Sequence, residues 1–188
     1  MDKSIEDFTL NEEQERAFRI IANHSTLGAM TDPLRIYIGG MAGIGKSQVI
    51  KALIKFFEGR GKSYAFLILA PTGSAASLVG GSTYHSALGF RGGNNSEDGG
   101  KGDKDPFSRG MTTKQAIRAR LQAVDYVFID EISMVDCQAL YNISASMNIA
   151  MSIEDAAFAG KNMIFAGDFA QLPPLSKNGP SLYSKLRK

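Results

Sequence analysis

The sequence predicts an α/β domain with a mainly parallel sheet flanked by helices. Three observations lead there. Short apolar runs alternate with stretches of helical character, the mark of βαβ units. A glycine-rich turn joins the first of those runs to a helix. The 188 residues, 44% apolar and 21% charged, fit one globular domain with a sizeable core.

The elements follow in chain order. Residues 11–23 predict a helix with Ala17, Phe18, Ile20 and Ile21 on its buried face. Thr9 with Glu12, or Asn11 with Gln14, supplies the capping-box spacing at its start. Arg35–Gly39 (RIYIG) reads as a buried strand, followed by a helix over 46–58 that Gly59 and Gly61 would stop. Residues 64–70 (YAFLILA) read as a fully buried second strand, closed by Pro71-Thr72-Gly73. A helix is expected over 112–123 on the stripe Ala116, Ile117 and Leu121. Then come strand Tyr126–Ile129 (YVFI), a helix over 136–151 and a strand over 163–166. Between residues 91 and 110 six of twenty residues are glycine and almost none are apolar, which predicts a long flexible surface loop.

Composition narrows the classes. The longest apolar run, residues 64–70, is far too short to span a bilayer, and MDKSIEDF is acidic where a secretory signal is basic. A single cysteine, Cys137, excludes an internal disulfide and a multi-cysteine zinc cluster; it and the eight methionines read as packing. A soluble intracellular protein is expected. Residues 1–34 carry three basic and seven acidic side chains, net −4; the remainder carry 18 and 12, net +6. The larger part suits a polyanion partner, although ordinary surface charge explains the number equally well.

The sharpest chemical signal is Gly40, Met41, Ala42, Gly43, Ile44, Gly45, Lys46, Ser47, which satisfies G-x-x-x-x-G-K-[ST]. Glycines let the backbone wrap phosphate oxygens with its N–H groups inward, and the following helix adds its positive end. Lys46 reaches the β- and γ-phosphates, and the Ser47 hydroxyl ligates Mg²⁺. Average composition yields such a match by chance in roughly one chain in a few hundred. Here a strand precedes it and a helix follows, so a nucleoside triphosphate site is expected.

Strand Tyr126–Ile129 ends in Asp130 and Glu131, at the edge where open α/β sheets bind ligands. Asp130 suits a second contact to Mg²⁺, and Glu131 suits deprotonating a water for attack on the γ-phosphate. Phe165-Ala-Gly167-Asp168-Phe-Ala-Gln171 places Asp168 and Gln171 at the same edge, where the Gln171 amide can sense a γ-phosphate. A proline-terminated strand with a capping Asp explains that segment as well. After the second strand, Thr72, Gly73 and Ser74, then Thr83, Tyr84 and His85, offer hydroxyls and rings for a sugar-phosphate backbone or a base. A tight turn with a satisfied histidine is the plainer account. His24 has no partner that suggests catalysis.

In order, LNEEQ, GGMAGIGKS, APTGSAA with STYHS, FIDEISMVD and GDFAQLPP resemble the motor core of the petite-integration-frequency (PIF) DNA helicases, relatives of RecD in superfamily 1B. The closer likeness is to the PIF-type helicases of helitron transposons, and the match runs from about Leu10 to Pro174. The resemblance implies a RecA-like P-loop NTPase domain that uses ATP and Mg²⁺ to move 5′ to 3′ on single-stranded DNA. Gln14 would read the adenine edge, Gly40 to Ser47 would hold the phosphates, and Ser47 with Asp130 the metal. Glu131 would activate water, and Gln171 would couple the γ-phosphate to DNA. Thr72, Gly73 and His85 would touch the single strand. Ile44 stands where threonine is common, and Ser74 where some relatives are basic.

In that family ATP lies between two RecA-like domains, and the second supplies arginines. Such an arginine is worth roughly 10³–10⁵ in rate in related enzymes. Residues 1–188 leave no stretch for a second domain, so the expectation is a first motor domain alone. It would be monomeric, membrane-free, slow to hydrolyse ATP and dependent on the rest of a parent helicase to unwind. The family implies a nuclear or mitochondrial location in a eukaryote and a cytoplasmic one otherwise. A P-loop kinase or signalling NTPase, and a non-catalytic remnant binding DNA or protein, stay open on the residues alone. The paired acids and the poorly basic 91–110 segment count against a kinase, and the intact catalytic types against a remnant.

Overall fold

A computed structural model describes residues 2–27, 32–40, 45–90, 108–171 and 180–182. Seven helices and five strands are described: α1 (Asp2–Asp7), α2 (Glu12–Leu27), β1 (Arg35–Gly39), α3 (Lys46–Gly59), β2 (Phe66–Ala70), α4 (Gly73–Leu78), β3 (Ser82–Thr83), α5 (Tyr84–Ala87), α6 (Ser108–Gln122), β4 (Tyr126–Ile129), α7 (Cys137–Met151) and β5 (Asn162–Gly167). The sheet order is β1-β5-β4-β2-β3, and every pairing is parallel. The predicted α/β architecture is therefore the observed one.

Strand alternation divides the core into two layers. Phe128 of β4, Ile164 and Ala166 of β5 and Ile68 of β2 face α2 and α3, meeting Phe18, Ile21, Leu53 and Phe57. Val127, Ile129, Met163 and Leu69 face the other way, onto Leu121, Ile143 and Met147. Because β4 is central and covered on both sides, all four of its residues are buried, which explains its unbroken apolar run. Phe57 fills the first layer, with its ring 5.1 Å from Phe66 in a stacked pair and 5.3 Å from Tyr126.

Several expectations need correction. β1 is an edge strand, not a buried one: its residues alternate between exposed and half-buried, and Tyr37 is 46% exposed. β2 starts at Phe66, because Ser63–Ala65 forms a 3₁₀ turn that leaves Tyr64 60% exposed. On α2 the buried face is Phe18, Ile21 and Ala22, while Ile20 turns outward. On α6 Ala116 is exposed beside buried Ile117 and Leu121, and the helix begins four residues before the expected 112. Cys137 is exposed at the start of α7 rather than packed. Short elements α1, α4, β3 and α5 carry too few residues to show a period, and were not expected. The flexible-loop expectation for 91–110 falls largely on 91–107, outside the described residues.

β3 sits on β2 because Gly81 allows it. A Cβ there would lie 2.7 Å from the Ile68 carbonyl oxygen and 2.8 Å from Ile68 Cγ2. Gly81→Ala is expected to lower stability by about 1–3 kcal/mol in urea unfolding. Gly59→Ala, with nothing within 4 Å of the added methyl, should be neutral or stabilising.

Candidate functional site

The register places the site. Gly39 pairs with Gly167, Ile38 with Ala166, and Ile129 with Phe165. The chain therefore leaves β1 at Gly40, β5 at Asp168 and β4 at Asp130 on one edge, across three adjacent strands spanning roughly 10 Å. Parallel pairing alone thus gathers the phosphate-loop residues, Asp130, Glu131, Asp168 and Gln171.

Gly45 precedes α3 at φ 84°, ψ 26°, a left-handed conformation that glycine adopts freely. It gives α3 no side-chain cap; the Gln48 N–H is taken by the Gly45 carbonyl at 2.9 Å, and the Lys46 and Ser47 amides with the helix dipole suit an anion. Lys46 Nζ donates to the Gly40 carbonyl at 2.5 Å, tying its charge to the end of β1. Ser47 lies exposed in the same first turn. Ala42, Gly43 and Ile44 lie outside the described residues.

Asp130 is 8% exposed, and its Oδ1 accepts from the Glu131 N–H at 3.0 Å. Burial pushes its carboxyl above the ordinary range, and that N–H and the Lys46 charge only partly offset the shift. Glu131 is raised too, first by burial, then by Asp130 and Asp168, against Lys46. Asp130 and Glu131 thus share the Lys46 charge while Asp168 adds to the negative field on Glu131, a surplus of negative charge that suits a divalent ion. Glu131 also sits at φ 49°, ψ 44°, costly backbone for a glutamate and of a kind that collects at functional sites. Ser47 and Asp130 are hard oxygen donors of the kind Mg²⁺ takes alongside phosphate oxygens. Among the described residues no group of three His, Cys, Asp or Glu side chains could hold a metal unaided.

Gln171 Nε2 donates to Asp168 Oδ2 at 2.6 Å, and Asp168 Oδ1 accepts from Ala170 N at 2.9 Å. The expectation that both emerge beside Asp130 is met in position. Leu172, Pro173 and Pro174 lie outside the described residues.

At the other end, Asn11 and Gln14 form the reciprocal capping box. Asn11 N donates to Gln14 Oε1, and Gln14 N to Asn11 Oδ1, both at 2.9 Å. That settles the two alternatives for the start of α2. The same amide lies against the phosphate loop, since a Cβ on Gly45 would fall 2.4 Å from Gln14 Nε2. A cavity of about 220 Å³ opens there, lined by Gln14, Ala17, Ile38, Gly39, Lys46 and Val49 among others. Ala17, Ile38 and Val49 give it an apolar wall, and the Asn11 and Gln14 amides with Glu13 and Lys46 give it polar edges, a mixture that suits a flat heterocycle.

Thr72 and His85 are brought together by the pairing of Ala70 with Thr83. Thr72 caps α4, accepting from Ala75 N at 3.2 Å, so its hydroxyl has a structural duty already. Gly73 is exposed at the first position of α4. Tyr84 is buried and cannot stack on a base as expected; exposed His85 lies over its ring at 4.0 Å. His24 is a packing residue, 2.6 Å from the Tyr126 hydroxyl.

Two features escaped the sequence. Tyr37 donates to the Gly167 carbonyl at 3.0 Å, and its ring lies 5.5 Å from Phe169, bracing the turn that carries Asp168. Ser133, 2% exposed and two residues past Glu131, has a buried hydroxyl with no hydrogen-bond partner among the described residues. Only three-dimensional packing reveals either.

Comparison with known proteins agrees with this geometry. The sequence profile described as PIF1-like helicase matches residues 9–184. The chain is 32% identical over 171 residues to ATP-dependent DNA helicase PIF1 of Saccharomyces cerevisiae (strain YJM789), covering 90% of this chain and 18% of that protein. It is 33% identical over 155 residues to ATP-dependent DNA helicase Pif1 of Bdellovibrio bacteriovorus, covering 82% of this chain and 33% of that one. Among solved structures, Pif1 helicase from Bacteroides in complex with ADP-AlF3 and ssDNA matches with a TM-score of 0.65 at 30% identity, over 90% of this chain and 34% of that one. The chain therefore spans between 18% and 34% of the length of these relatives.

Gln14 is thus part of a helix cap and also lines the cavity beside Lys46. Asn11 lines the same cavity, and Asn11→Ala is expected to cost about 1 kcal/mol of stability and to weaken binding of a fluorescent ATP analogue less than Gln14→Ala does. Gln14→Ala should lose similar stability and weaken that binding as well.

Proposed function

This chain belongs to the PIF1-like helicase family, and from that premise we propose that it is the ATP-binding motor domain of a 5′-to-3′ helicase acting on single-stranded DNA. The observation that carries the reading is the convergence of Lys46, Asp130, Glu131 and Gln171 on the ends of β1, β4 and β5. The Bacteroides Pif1 complex with ADP-AlF3 and ssDNA supports it by likeness.

In this reading the adenine enters the cavity at Gln14, and the triphosphate runs along Gly40 to Ser47. Lys46 leaves the Gly40 carbonyl to contact the β- and γ-phosphates. A Mg²⁺ ion held by Ser47 and Asp130 would neutralise charge developing on the phosphates. Glu131 orients the attacking water and takes its proton, a task that a raised carboxyl pKa favours. Gln171 moves from Asp168 to the γ-phosphate. Because Gln171 and the α4–α5 surface leave the same sheet edge, loss of that phosphate is relayed to Thr72, Gly73 and His85, where a single strand would lie. The charge-neutralising arginines come from a second RecA-like domain of the parent protein, so this chain alone binds nucleotide and hydrolyses it slowly.

Titration with a fluorescent ATP analogue and Mg²⁺ tests the site. Lys46→Ala should abolish binding, whereas Glu131→Gln should retain it. In a two-domain parent, Glu131→Gln should cut DNA-stimulated hydrolysis by about 10²–10⁴. Binding indifferent to Lys46→Ala would overturn the nucleotide site. Fast DNA-stimulated hydrolysis by the 188-residue chain would overturn the half-motor reading.

A further inference from the structure

A second cavity, of about 530 Å³, opens at the other edge of the sheet, where β4 and β5 begin. Strand lengths put it roughly 15–20 Å from the acids. Its volume lies in the range of small-molecule sites, about 300–1,000 Å³. Five parts of the chain form it: His24 and Ser25 of α2, Pro33 before β1, Lys62 after α3, the approach to β4 with Asp125, and the approach to β5 with Lys161.

The floor is fixed. Burial, with help from Asp125, pushes the Tyr126 phenol up to about 12, so it keeps its proton, and its hydroxyl is hydrogen-bonded with His24 Nδ1 at 2.6 Å. His24 Nε2 then donates to the Asp32 carbonyl at 3.2 Å. Asn162 is tied to the wall as well, accepting from Leu34 N at 2.8 Å and donating to the Asp125 carbonyl at 2.9 Å. These polar groups hold the wall and do not wait for a ligand.

Lys161 is different. It is half-buried, burial lowers its pKa, and only the Asp125 charge works against that shift. Among the described residues its ammonium makes no hydrogen bond or ion pair. A partly desolvated cation without an acceptor is a standing cost that an anion would relieve. Exposed Lys62 brings a second cation to the same cavity, while exposed Asp125 offers an acceptor for hydroxyl groups and opposes a bare polyanion.

We infer that this cavity binds a small phosphomonoester bearing hydroxyl groups, its phosphate between the Lys62 and Lys161 ammonium groups and a hydroxyl on the Asp125 carboxylate. The site is separate from the nucleotide cleft and does not rest on the reading given to it.

Amide NMR of the labelled 188-residue chain, titrated with ribose 5-phosphate, inorganic phosphate, ribose or a single-stranded oligonucleotide, tests this. Ribose 5-phosphate should shift the Asp125, Gly160, Lys161 and Asn162 amides saturably, and ribose should not. Lys161→Gln should weaken binding at least about tenfold, the loss of one charge-assisted hydrogen bond. Lys161→Arg should retain it, and both variants should bind a fluorescent ATP analogue like the unmodified chain. Shifts confined to Gly45, Lys46 and Ser47, equal affinity in Lys161→Gln, or a response to the oligonucleotide alone would overturn the site. Inorganic phosphate binding as tightly as ribose 5-phosphate would overturn the hydroxyl contact with Asp125.

Discussion

Parallel pairing of β5 between β1 and β4 is the constraint on which the rest depends. It fixes where three chain segments distant in sequence emerge, and it makes them emerge together. Antiparallel pairing of any one strand would send its terminal residues to the opposite edge. The pairing is in turn secured by side chains, because β4 and β5 bury residues on both faces and a one-residue slip would reverse every one of them. Core packing and site geometry are therefore one specification.

The electrostatics of the edge follow from that gathering. Packing around β4 desolvates Asp130 and, less so, Glu131, and the neighbouring strand adds Asp168. Lys46 is the counter-charge acting on both raised acids. The backbone contributes as well: Glu131 in left-handed conformation has its carboxylate aimed by main chain and not by rotamer choice alone. Tyr37 and Phe169 steady the adjoining turn from the edge strand.

Much of this was legible in the residues. The phosphate loop and the acid pair are local patterns whose chemistry needs those types at that spacing, and the strands leading to them are strongly apolar. YVFI was readable as buried because it lies at the centre of the sheet. RIYIG was not readable as an edge, since Ile36 and Ile38 alone look like core and only strand order shows that Tyr37 faces outward. Tyr64 extended an apolar run without sharing its burial, because the chain turns before the sheet begins. Cys137 and Ala116 show the same limit, for hydrophobic type does not fix which way a helix position points. Gln14 was readable as a helix cap from its spacing and as a base contact only through the family resemblance; the cap is formed, and the same amide lies beside Gly45. The Ser133 hydroxyl and the Lys161 cavity depend on contacts between distant segments and left no trace in the sequence.

The bond between Lys46 and the Gly40 carbonyl bears on how affinity should be understood. The chain carries its own stand-in for phosphate, an internal acceptor already paired with the cation. Ligand entry is then a substitution, in which one charge-assisted bond is surrendered as another forms. If such a bond contributes about 1.5–3 kcal/mol, the observed constant understates the intrinsic attraction by one to two orders of magnitude.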